Sequence, residues 1–338
     1  GTKGKTTTTH MIRAILQAAG KKVGMIGTTG TVIGDVVTPT LNTTPESYEL
    51  HQAFAQMVEA GCEYAVMEVS SQGIKMHRTD GLYFNYAIFT NISPDHIGPG
   101  EHADFEEYLY YKTRLLNMCG IGLVNKDDKH APQIIKAANC ELYTYSEESK
   151  EADFVASDIR YVSQPDFVGT EFHISGKYDM EVRLGIPGLF NVVNALAAVS
   201  VCSFLGLDQA RISHALENIR VNGRMEIVYT SERCTVLVDY AHNAVSMESL
   251  LSTLRDYKPK RLVCVFGCGG NRSKDRRYSM GEIGGKMADL SIITADNSRY
   301  EKVEDIIADI RGSIEKTGGK FIEIPDRREA IRYSILHA

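Results

Sequence analysis

The chain has 338 residues and a net charge of -6, with 43% hydrophobic and 24% charged residues. These values predict a soluble, mildly acidic protein with enough residues for about two domains. No apolar run approaches the length of a membrane span, and the acidic balance argues against nucleic acid as a partner. The seven cysteines include no C-x-x-C pair, which argues against a disulfide framework and a thiolate zinc site and is typical of a reducing, cytoplasmic location.

The chain begins with Gly1-Thr2-Lys3-Gly4-Lys5-Thr6-Thr7, the Gly-Lys-Thr end of a Walker A phosphate-binding loop without its leading glycine. In such a loop the backbone N–H groups point at phosphate oxygens, a lysine reaches the β/γ-phosphates and a hydroxyl binds Mg²⁺. Lys5 and Thr6 match these two roles. The alternative, an ordinary loop rich in Gly and Thr, is equally supported by half a motif. The incomplete motif predicts that the natural chain continues before residue 1.

Short apolar runs alternate with helical patterns over the first two thirds of the chain. One helix follows the loop and ends at Gly20, and a second has Thr44 as N-cap, Pro45 at its first position and Leu50, Phe54, Met57 and Val58 on one face. The apolar runs are residues 23–26, 64–67, 86–89 and 121–124. This alternation predicts an α/β domain with a doubly wound sheet. Residues 153–185 predict short antiparallel strands beside that sheet, and helices over 191–205 and 212–216 close the domain.

The alternation restarts after Asn222-Gly223-Arg224. Apolar runs at 235–238, 261–266, 290–293 and 321–324, with a helix over 303–314, predict a smaller Rossmann-like domain. The expected organisation is therefore a P-loop, doubly wound central domain over 1–221 and a C-terminal domain over 222–338, with the ATP cleft between their facing surfaces. A last helix continues to the final residue, which predicts that the second domain is incomplete.

Polar residues follow several of the predicted strands, at Thr28, Glu68 to Ser71 and Asn91 to His96. The carboxyl ends of strands form the ligand crevice of an open α/β sheet. Glu68 is placed where a nucleotide enzyme holds a carboxylate for Mg²⁺. A purely structural acid at a strand end is the alternative.

Lys112 lies in an apolar stripe. Phe105, Tyr108, Leu109, Leu115 and Leu116 share its face of a predicted helix. One interpretation is a lysine whose stem packs while its ammonium reaches water. The other is carbamylation by CO₂, which converts the amine into an anion able to bridge a metal ion that His96 also binds.

Several motifs occur together in the order seen in one enzyme family. Beyond the phosphate loop they are Asn42-Thr43-Thr44-Pro45, Met67-Glu68-Val69-Ser70-Ser71, Asp95-His96, the helix over 108–112, Asn191 with Asn194, Gly223-Arg224-Met225-Glu226, Asp239-Tyr240-Ala241-His242 and Phe266-Gly267-Cys268-Gly269-Gly270-Asn271-Arg272. The chain thereby resembles the Mur ligases over essentially its whole length, and within them the MurE type, which makes UDP-N-acetylmuramoyl-tripeptide. The resemblance implies a uridine-nucleotide domain before residue 1 and a Gly-Lys-Gly-His-Glu element after residue 338, so we expect the chain alone not to turn over at a normal rate.

The resemblance also implies roles for individual residues. Lys5, Lys112 and His96 are the implied catalytic residues, and Thr6, Glu68, His96 and Lys112 the implied metal-site residues, with Lys112 carbamylated. The implied ATP-binding positions are Gly4, Lys5, Thr6, Thr7, Asn194, Arg224, Asp239 and His242, and the implied muramoyl-peptide positions are Thr43, Thr44, Ser70 and Arg78. One departure is Gly100, which stands where the family commonly has a second histidine, while His102 lies two residues further on.

The family chemistry explains why these residue types are needed. A substrate carboxylate attacks the γ-phosphate of ATP to give an acyl phosphate, which an amine then displaces, and Mg²⁺, lysine and backbone N–H groups neutralise the crowded oxygens. Asp296-Asn297-Ser298-Arg299 resembles the Asp-Asn-Pro-Arg motif of diaminopimelate-adding members, with Asp296, Asn297 and Arg299 at the donor and a buried, paired guanidinium expected at Arg299. Serine replaces the proline, and a surface arginine in a turn is the alternative.

The leading hypothesis is an ATP- and Mg²⁺-dependent amide ligase of peptidoglycan precursor synthesis that adds a diamino acid, meso-diaminopimelate rather than lysine. Its expected partners are small-molecule substrates, and a monomer is expected. A folylpolyglutamate or poly-glutamate ligase shares the phosphate loop and the modified lysine. A non-catalytic scaffold of the same fold that binds ATP is the third alternative. The motifs Asn42-Thr43-Thr44-Pro45 and Asp296-Asn297-Ser298-Arg299 argue against the folate enzyme. Retention of Lys5, Thr6, Glu68, His96 and Lys112 argues against a scaffold.

Overall fold

The computed structural model describes residues 1–94, 97–98 and 100–337. The chain divides into two compact units, one containing residues 1–160 and 169–221, and the other containing residues 161–168 and the chain from Asn222 onward. None of the helices formed by the described residues is long and apolar enough to cross a membrane.

The first unit alternates helices and strands. Its elements are α1 (Lys5–Ala18), β1 (Val23–Gly27), β2 (Gly30–Ile33), β3 (Val36–Thr38), α2 (Ser47–Glu59), β4 (Tyr64–Met67), α3 (Ser71–Lys75), β5 (Phe84–Phe89), α4 (Phe105–Arg114), β6 (Cys119–Asn125), α5 (Ala131–Ala137), β7 (Glu141–Ser146), β8 (Phe154–Gln164), β9 (Phe167–Gly176), β10 (Met180–Leu184), α6 (Leu189–Phe204) and α7 (Gln209–Glu217). The end of β8 and the start of β9, within residues 161–168, belong to the other unit.

The strands of this unit form two sheets rather than one, with orders β3-β2-β1-β4 and β10-β9-β8-β7-β6-β5. The pairs β1–β4, β5–β6 and β6–β7 are parallel, as a doubly wound fold requires, and the predicted α/β class is confirmed. A cavity of about 630 Å³ is lined by residues of both β4 and β5, and its wall includes Lys5. Periodicity finds strands but does not assign their neighbours, so the division into two sheets was not predicted.

Residues 153–185 were predicted to form antiparallel strands, and β9 and β10 are antiparallel as expected. It does not lie beside the main sheet, because β7 pairs with β8 in parallel and β8 to β10 extend the six-stranded sheet. That part of the prediction is wrong. The strands are also longer than expected, with 11 residues in β8 and 10 in β9.

Helix α1 carries the phosphate loop at its N-terminus. Gly4 precedes it with φ 84°, a left-handed conformation that glycine adopts without steric strain. The buried face of α1 includes Met11, Ile15 and Leu16, and the helix packs against α6 and α7. Helix α6 is buried on nearly all sides, which explains its apolar sequence and its role as the centre of this unit.

Helix α2 begins two residues later than predicted, at Ser47, with Glu46 as its N-cap. Thr44 is therefore not a cap, because its hydroxyl is engaged with the loop after β4. The predicted face was also wrong at Val58, which is 75% exposed, whereas Ala53 is buried between Leu50 and Met57. Positions 50, 53 and 57 are three or four residues apart and therefore lie on one face of an α-helix. Position 58, next to 57, points in a different direction.

Helix α4 begins after Asp104, whose carboxylate accepts a hydrogen bond of 2.8 Å from the Glu107 N–H. Such a cap satisfies an N–H group that lacks a partner within the helix. The helix buries Tyr108 and Leu109 of the predicted apolar stripe, and Lys112 is buried with them. It ends at Arg114, and a 3₁₀ turn over Leu115–Asn117 follows, so the predicted stripe continues beyond the α-helix itself.

The second unit contains a smaller parallel sheet. Its elements are β11 (Glu226–Thr230), β12 (Thr235–Val238), α8 (Ala244–Asp256), β13 (Val263–Phe266), α9 (Lys274–Met287), β14 (Leu290–Ile293), α10 (Val303–Thr317), β15 (Phe321–Glu323) and α11 (Arg327–Leu336). Strands β13, β14 and β15 are parallel neighbours, whereas β12 pairs with β11 in a separate antiparallel hairpin. Its core includes Met247, Leu251, Phe266, Ile293 and Ile310.

Candidate active site

The end of β5 holds the phosphate loop in place. The Thr2 and Lys3 N–H groups each donate a 2.8 Å hydrogen bond to Asn91, one to its backbone oxygen and one to its side chain. The Thr90 hydroxyl donates to the Lys3 carbonyl at 2.7 Å. These bonds fix the loop at the N-terminus of α1, where free N–H groups and the helix dipole favour an anion.

Gly4 and Lys5 are brought together as predicted. The Lys5 ammonium donates hydrogen bonds of 3.0 Å to the carbonyls of Gly1 and Thr2. A Cβ at Gly4 would collide with the side-chain oxygen of Asn194. That oxygen also accepts a 3.4 Å hydrogen bond from Thr8, so Asn194 supports the loop from α6. Thr7 is buried in the first turn of α1.

The predicted metal residues Thr6 and Glu68 lie in direct contact. The Thr6 hydroxyl donates a 2.9 Å hydrogen bond to Glu68, and the Thr28 N–H donates at 2.8 Å to the other carboxylate oxygen. Glu68 is only 2% exposed, and a side chain at Gly27 would collide with it. A carboxylate and a hydroxyl beside a phosphate loop are oxygen ligands of the kind that Mg²⁺ prefers. The residues present therefore fit the ion that the sequence predicts.

Lys112 is 7% exposed, which argues against the interpretation that its ammonium reaches water. Its Nζ lies 4.4 Å from the centre of the Tyr108 ring, and it shares the wall of a cavity of about 10 Å³ with Gly1 and Ser71. The Tyr108 hydroxyl is 3.0 Å from the Thr2 hydroxyl, which connects α4 to the phosphate loop. The fold thus brings Lys112 beside the first residue of that loop.

His96, the other predicted metal and catalytic residue, lies outside the described residues. Within the described part of the chain there is no group of three or more His, Cys, Asp or Glu side chains that could hold a metal ion. Of the four predicted metal residues, the structure describes Thr6, Glu68 and Lys112.

The predicted muramoyl-peptide residues surround the loop after β4. Thr44 is fully buried, and its hydroxyl donates to the Glu68 carbonyl at 3.1 Å while accepting from the Ser70 N–H at 2.9 Å. Ser70 caps α3, and Arg78 binds the Thr44 carbonyl at 3.2 Å and the Glu46 carboxylate at 2.7 Å. Thr44 therefore fixes the backbone around Glu68, and its contact with a substrate stays a prediction. The Thr43 hydroxyl lies 3.0 Å from that of Thr28.

A buried histidine in this region was not predicted to have a role. His102 is fully buried, with its Nε2 2.9 Å from the Ser71 hydroxyl and its Nδ1 3.6 Å from the Glu107 carboxylate. Hydrogen bonds from Lys75 and the Ala103 N–H lower the pKa of Glu107. His102 connects the start of α3 to α4, the helix that carries Lys112. The only sequence signal was its displacement from the family position at Gly100.

The predicted nucleotide-side residues of the second unit lie together around β12. Asp239 accepts 2.8 Å hydrogen bonds from the N–H groups of Met225 and Ala241. The Arg224 guanidinium lies 4.8 Å from the centre of the Tyr240 ring, and the His242 ring is 5.3 Å from the same ring. Tyr240 is 61% exposed and was not predicted as a site residue, although an exposed aromatic ring offers a stacking surface for a base.

The predicted donor residues Asp296, Asn297 and Arg299 form an exposed loop after β14. Arg299 has φ 51°, an uncommon left-handed conformation for a residue with a side chain. The expectation of a buried guanidinium at Arg299 is wrong for the chain alone. The loop backbone is nonetheless fixed, because the Gly270 N–H donates to the Asn297 carbonyl at 2.9 Å.

The fold and the site define the class of P-loop α/β proteins with a phosphate loop, a buried carboxylate and a second α/β unit. Family models agree with this class over nearly the whole chain. The description "Mur ligase middle domain" matches residues 1–202, and "Mur ligase, glutamate ligase domain" matches residues 223–338.

The chain is similar to the UDP-N-acetylmuramoyl-L-alanyl-D-glutamate–2,6-diaminopimelate ligase of Caldanaerobacter subterraneus, with 40% identity over 100% of this chain and 69% of the relative. A solved structure of an enzyme with the same name has a TM-score of 0.77 and 32% identity, over 100% of this chain and 69% of that one. Folylpolyglutamate synthase of Mycobacterium tuberculosis, solved with ADP and AMPPCP, has a TM-score of 0.75 but 19% identity, over 100% and 83%, and so shares the fold.

The chain belongs to the Mur ligase family. It is a ligase of that family, whose members generally depend on ATP and Mg²⁺. It spans about 69% of the length of the relatives named here.

Proposed function

We propose that the protein is an ATP-dependent carbon–nitrogen ligase that adds meso-diaminopimelate to UDP-N-acetylmuramoyl-L-Ala-D-Glu in peptidoglycan precursor synthesis. The observation that carries the proposal is the contact between Thr6 and Glu68 at 2.9 Å, beside Lys5 in the phosphate loop. A lysine, a hydroxyl and a carboxylate in this arrangement are the groups that a triphosphate and Mg²⁺ require, which supports the proposal. The choice of substrate rests on the 40% identity to an enzyme named for that reaction.

The phosphate loop would hold the triphosphate. Gly4 leaves room for the backbone to approach phosphate oxygens, and Lys5 and Thr7 would bind them from the start of α1. Thr6 and Glu68 would hold Mg²⁺, which neutralises negative charge on the phosphates. The buried position of Glu68 strengthens its electrostatic interactions, because few water molecules screen them.

The chemistry would proceed through the substrate carboxylate. Attack of this carboxylate on the γ-phosphate forms a C–O–P linkage and releases ADP, and attack of the donor amine then forms the amide and releases phosphate. Lys5 would stabilise the charge that gathers on the transferred group. Thr43, Ser70 and Arg78 would position the muramoyl peptide, with Thr44 holding their loop in shape.

Lys112 would serve the reaction as a carbamate, with His96 as its neighbour in the metal site. Two observations support this proposal: Lys112 is 7% exposed, and it lines a cavity with Gly1 of the phosphate loop. A carbamate at this position would provide an anionic oxygen ligand for a cation.

The second unit would supply the remaining groups. Arg224, Asp239 and His242, with Asn194 of the first unit, would serve the nucleotide, and Asp296, Asn297 and Arg299 would bind the donor. We further propose that 1–221 and 222–338 are the functional domains, and that the protein acts in the cytoplasm as a monomer, where its small-molecule substrates are made.

Three alternatives predict different outcomes. A lysine-adding member would share every residue of the phosphate site and differ only at the donor. A folylpolyglutamate or poly-glutamate ligase is favoured by the shared fold, although at 19% identity. A non-catalytic scaffold would bind ATP without releasing phosphate.

The discriminating experiment measures phosphate release by the complete gene product with UDP-N-acetylmuramoyl-L-Ala-D-Glu and, in turn, diaminopimelate, lysine, ornithine and glutamate. We expect release with diaminopimelate well above the other donors, and none from a Lys5→Ala variant. Preference for lysine would move the protein to the second alternative. Release with glutamate and a folate, but not with the muramoyl dipeptide, would overturn the proposal, as would ATP binding without any turnover.

A further inference from the structure

Arg277 is the largest of the fully buried side chains, at 1% exposure. The Nη2 group of its guanidinium donates to both carboxylate oxygens of Glu301, at 2.7 and 2.8 Å, and Nη1 donates to the Asp309 carboxylate at 2.9 Å. Arg277 lies on α9 and Asp309 on α10, whereas Glu301 lies in the loop between β14 and α10. A buried charge needs such partners, because an unpaired guanidinium would lose its hydration without compensation.

Glu301 closes the loop that carries the predicted donor residues. Besides Arg277, its carboxylate accepts a short hydrogen bond from the Asn271 N–H. Asn271 in turn accepts a 3.1 Å hydrogen bond from the Tyr300 N–H, and Gly270 donates to the Asn297 carbonyl at 2.9 Å. The loop is therefore joined at both ends to residues 270–271, and through Glu301 to the buried guanidinium.

Close packing leaves the loop little freedom to shift. A Cβ at Gly270 would collide with the Ser298 carbonyl, so the two backbones lie in direct contact. Arg299 and Asn271 both have φ 51°. A left-handed residue that bears a side chain persists when its surroundings determine the conformation. Because the Arg299 side chain is exposed, packing around it does not fix its backbone. The hydrogen bonds of the next two residues, Tyr300 and Glu301, hold the backbone instead.

Serine stands at position 298, where the motif that this loop resembles has proline. A proline would restrict the loop by fixing its own φ. Serine does not, and the restraint must come from elsewhere. We propose that the ion pair between the buried Arg277 and the partly exposed Glu301 positions the loop 296–299 and thereby sets the affinity for the amino-acid donor, with Arg277 and Glu301 acting as positioning residues. The donor role of this loop rests on the proposed function.

The test compares two variants that each remove one carboxylate from Arg277. Glu301→Gln removes the negative charge that pairs Arg277 with the donor loop and leaves a weaker neutral acceptor, whereas Asp309→Asn does the same on α10 and leaves the loop bonds in place. Both variants leave a buried guanidinium with one carboxylate, so a general loss of stability affects both. We expect Glu301→Gln to raise the donor KM roughly tenfold or more, with the ATP KM within about twofold, because a displaced binding group weakens only the ligand that it contacts. For Asp309→Asn, both KM values should stay within about twofold.

A rescue variant separates positioning from folding. In the Glu301→Gln background, Ser298→Pro should recover part of the lost donor affinity, since proline restores a restraint by other means. Thermal unfolding of each variant gives the fraction folded at the assay temperature. If Glu301→Gln is too unstable to assay, hydrogen exchange of the loop amides in Arg277→Lys should rise above that in Asp309→Asn.

A failure of the proposed function can be distinguished from a failure of the positioning role. The assay uses whichever donor the wild-type enzyme prefers, so a preference for lysine contradicts the proposed function but leaves the positioning test intact. Equal donor KM values for Glu301→Gln and wild type, with both folded, would overturn the inference while the ligase assignment stands. Equal increases for the two carboxylate variants would also overturn it, because they would indicate a general effect of disturbing Arg277.

Discussion

The hydroxyl of Thr6 donates a 2.9 Å hydrogen bond to the carboxylate of Glu68, although the two residues are 62 positions apart. Thr6 lies in the first turn of α1, and Glu68 follows strand β4. The bond brings the two predicted oxygen ligands of a metal into contact, in surroundings that leave Glu68 only 2% exposed. The first prediction tests this pair.

Glu68→Gln should reduce turnover by about 10²-fold or more and raise the Mg²⁺ concentration needed for half-maximal rate, because the amide keeps the shape but loses the charge that binds the ion. Phosphate release measured across a Mg²⁺ titration tests this. Glu63→Gln is the matched control, since Glu63 is a half-exposed carboxylate that precedes the same strand. Normal Mg²⁺ dependence in Glu68→Gln would show that the acid is structural.

Lys112→Ala should abolish phosphate release, and a small carboxylic acid such as formate or acetate should restore part of it by supplying an anionic oxygen in place of the carbamate. The exposed Lys136 on α5 gives the control variant Lys136→Ala, which should keep normal turnover. Incubation with ¹³CO₂ should add a carbamate carbon resonance to the wild type that is absent from Lys112→Ala. A full rate in Lys112→Ala, or a wild type without the resonance, contradicts carbamylation and leaves the packing over Tyr108 as the role of the side chain.

Arg299→Ala should raise the KM for diaminopimelate about tenfold or more while the ATP KM changes little. The guanidinium is exposed in the chain alone, so the bound donor itself must supply the carboxylate that pairs with it. Arg299→Lys should recover only part of the affinity, because an ammonium lacks the bidentate fork. Arg332→Ala, at an exposed position of α11, is the control. Unchanged donor choice in Arg299→Ala would make the donor assignment wrong while the family assignment stands.

Glu147→Gln should stabilise the protein increasingly as the pH rises from about 4.5 to about 7. Burial, together with the nearby Asp127 and Glu148 carboxylates, raises the pKa of Glu147 to about 7. In this window the unfolded chain has lost the proton that the folded chain retains, so wild-type stability falls as the pH rises. Glutamine cannot ionise and escapes this loss.

The measurement for Glu147 is the melting temperature of wild type and variant at pH 5 and pH 8. The difference should be larger at pH 8. Glu181→Gln removes an exposed carboxylate from β10 and should show no such trend. A difference that does not grow with pH would indicate that the Glu147 carboxyl ionises equally in the folded and unfolded chains.

The sequence by itself determined the local elements and the chemistry of the phosphate loop. Most helices and strands lie where periodicity predicted them, since the period of apolar residues reflects which side of an element is buried. Gly4, Lys5 and Thr6 were identifiable because a phosphate loop uses contiguous residues whose spacing is visible in the sequence. Errors arose at ends and faces: α2 begins at Ser47 rather than Pro45, and Val58 is exposed.

Only the tertiary structure decided the relationships between distant residues. The division of the strands into two sheets, the burial of Lys112 and the contact of Thr6 with Glu68 all depend on pairings across many positions of the chain. The burial of Arg277 and its pairing with Glu301 and Asp309 had no sequence signal, because a charged residue in a helix is usually exposed. Local sequence patterns indicate whether a side chain is buried or exposed. They do not indicate which distant residue pairs with a buried charge, because that depends on how the helices and strands pack.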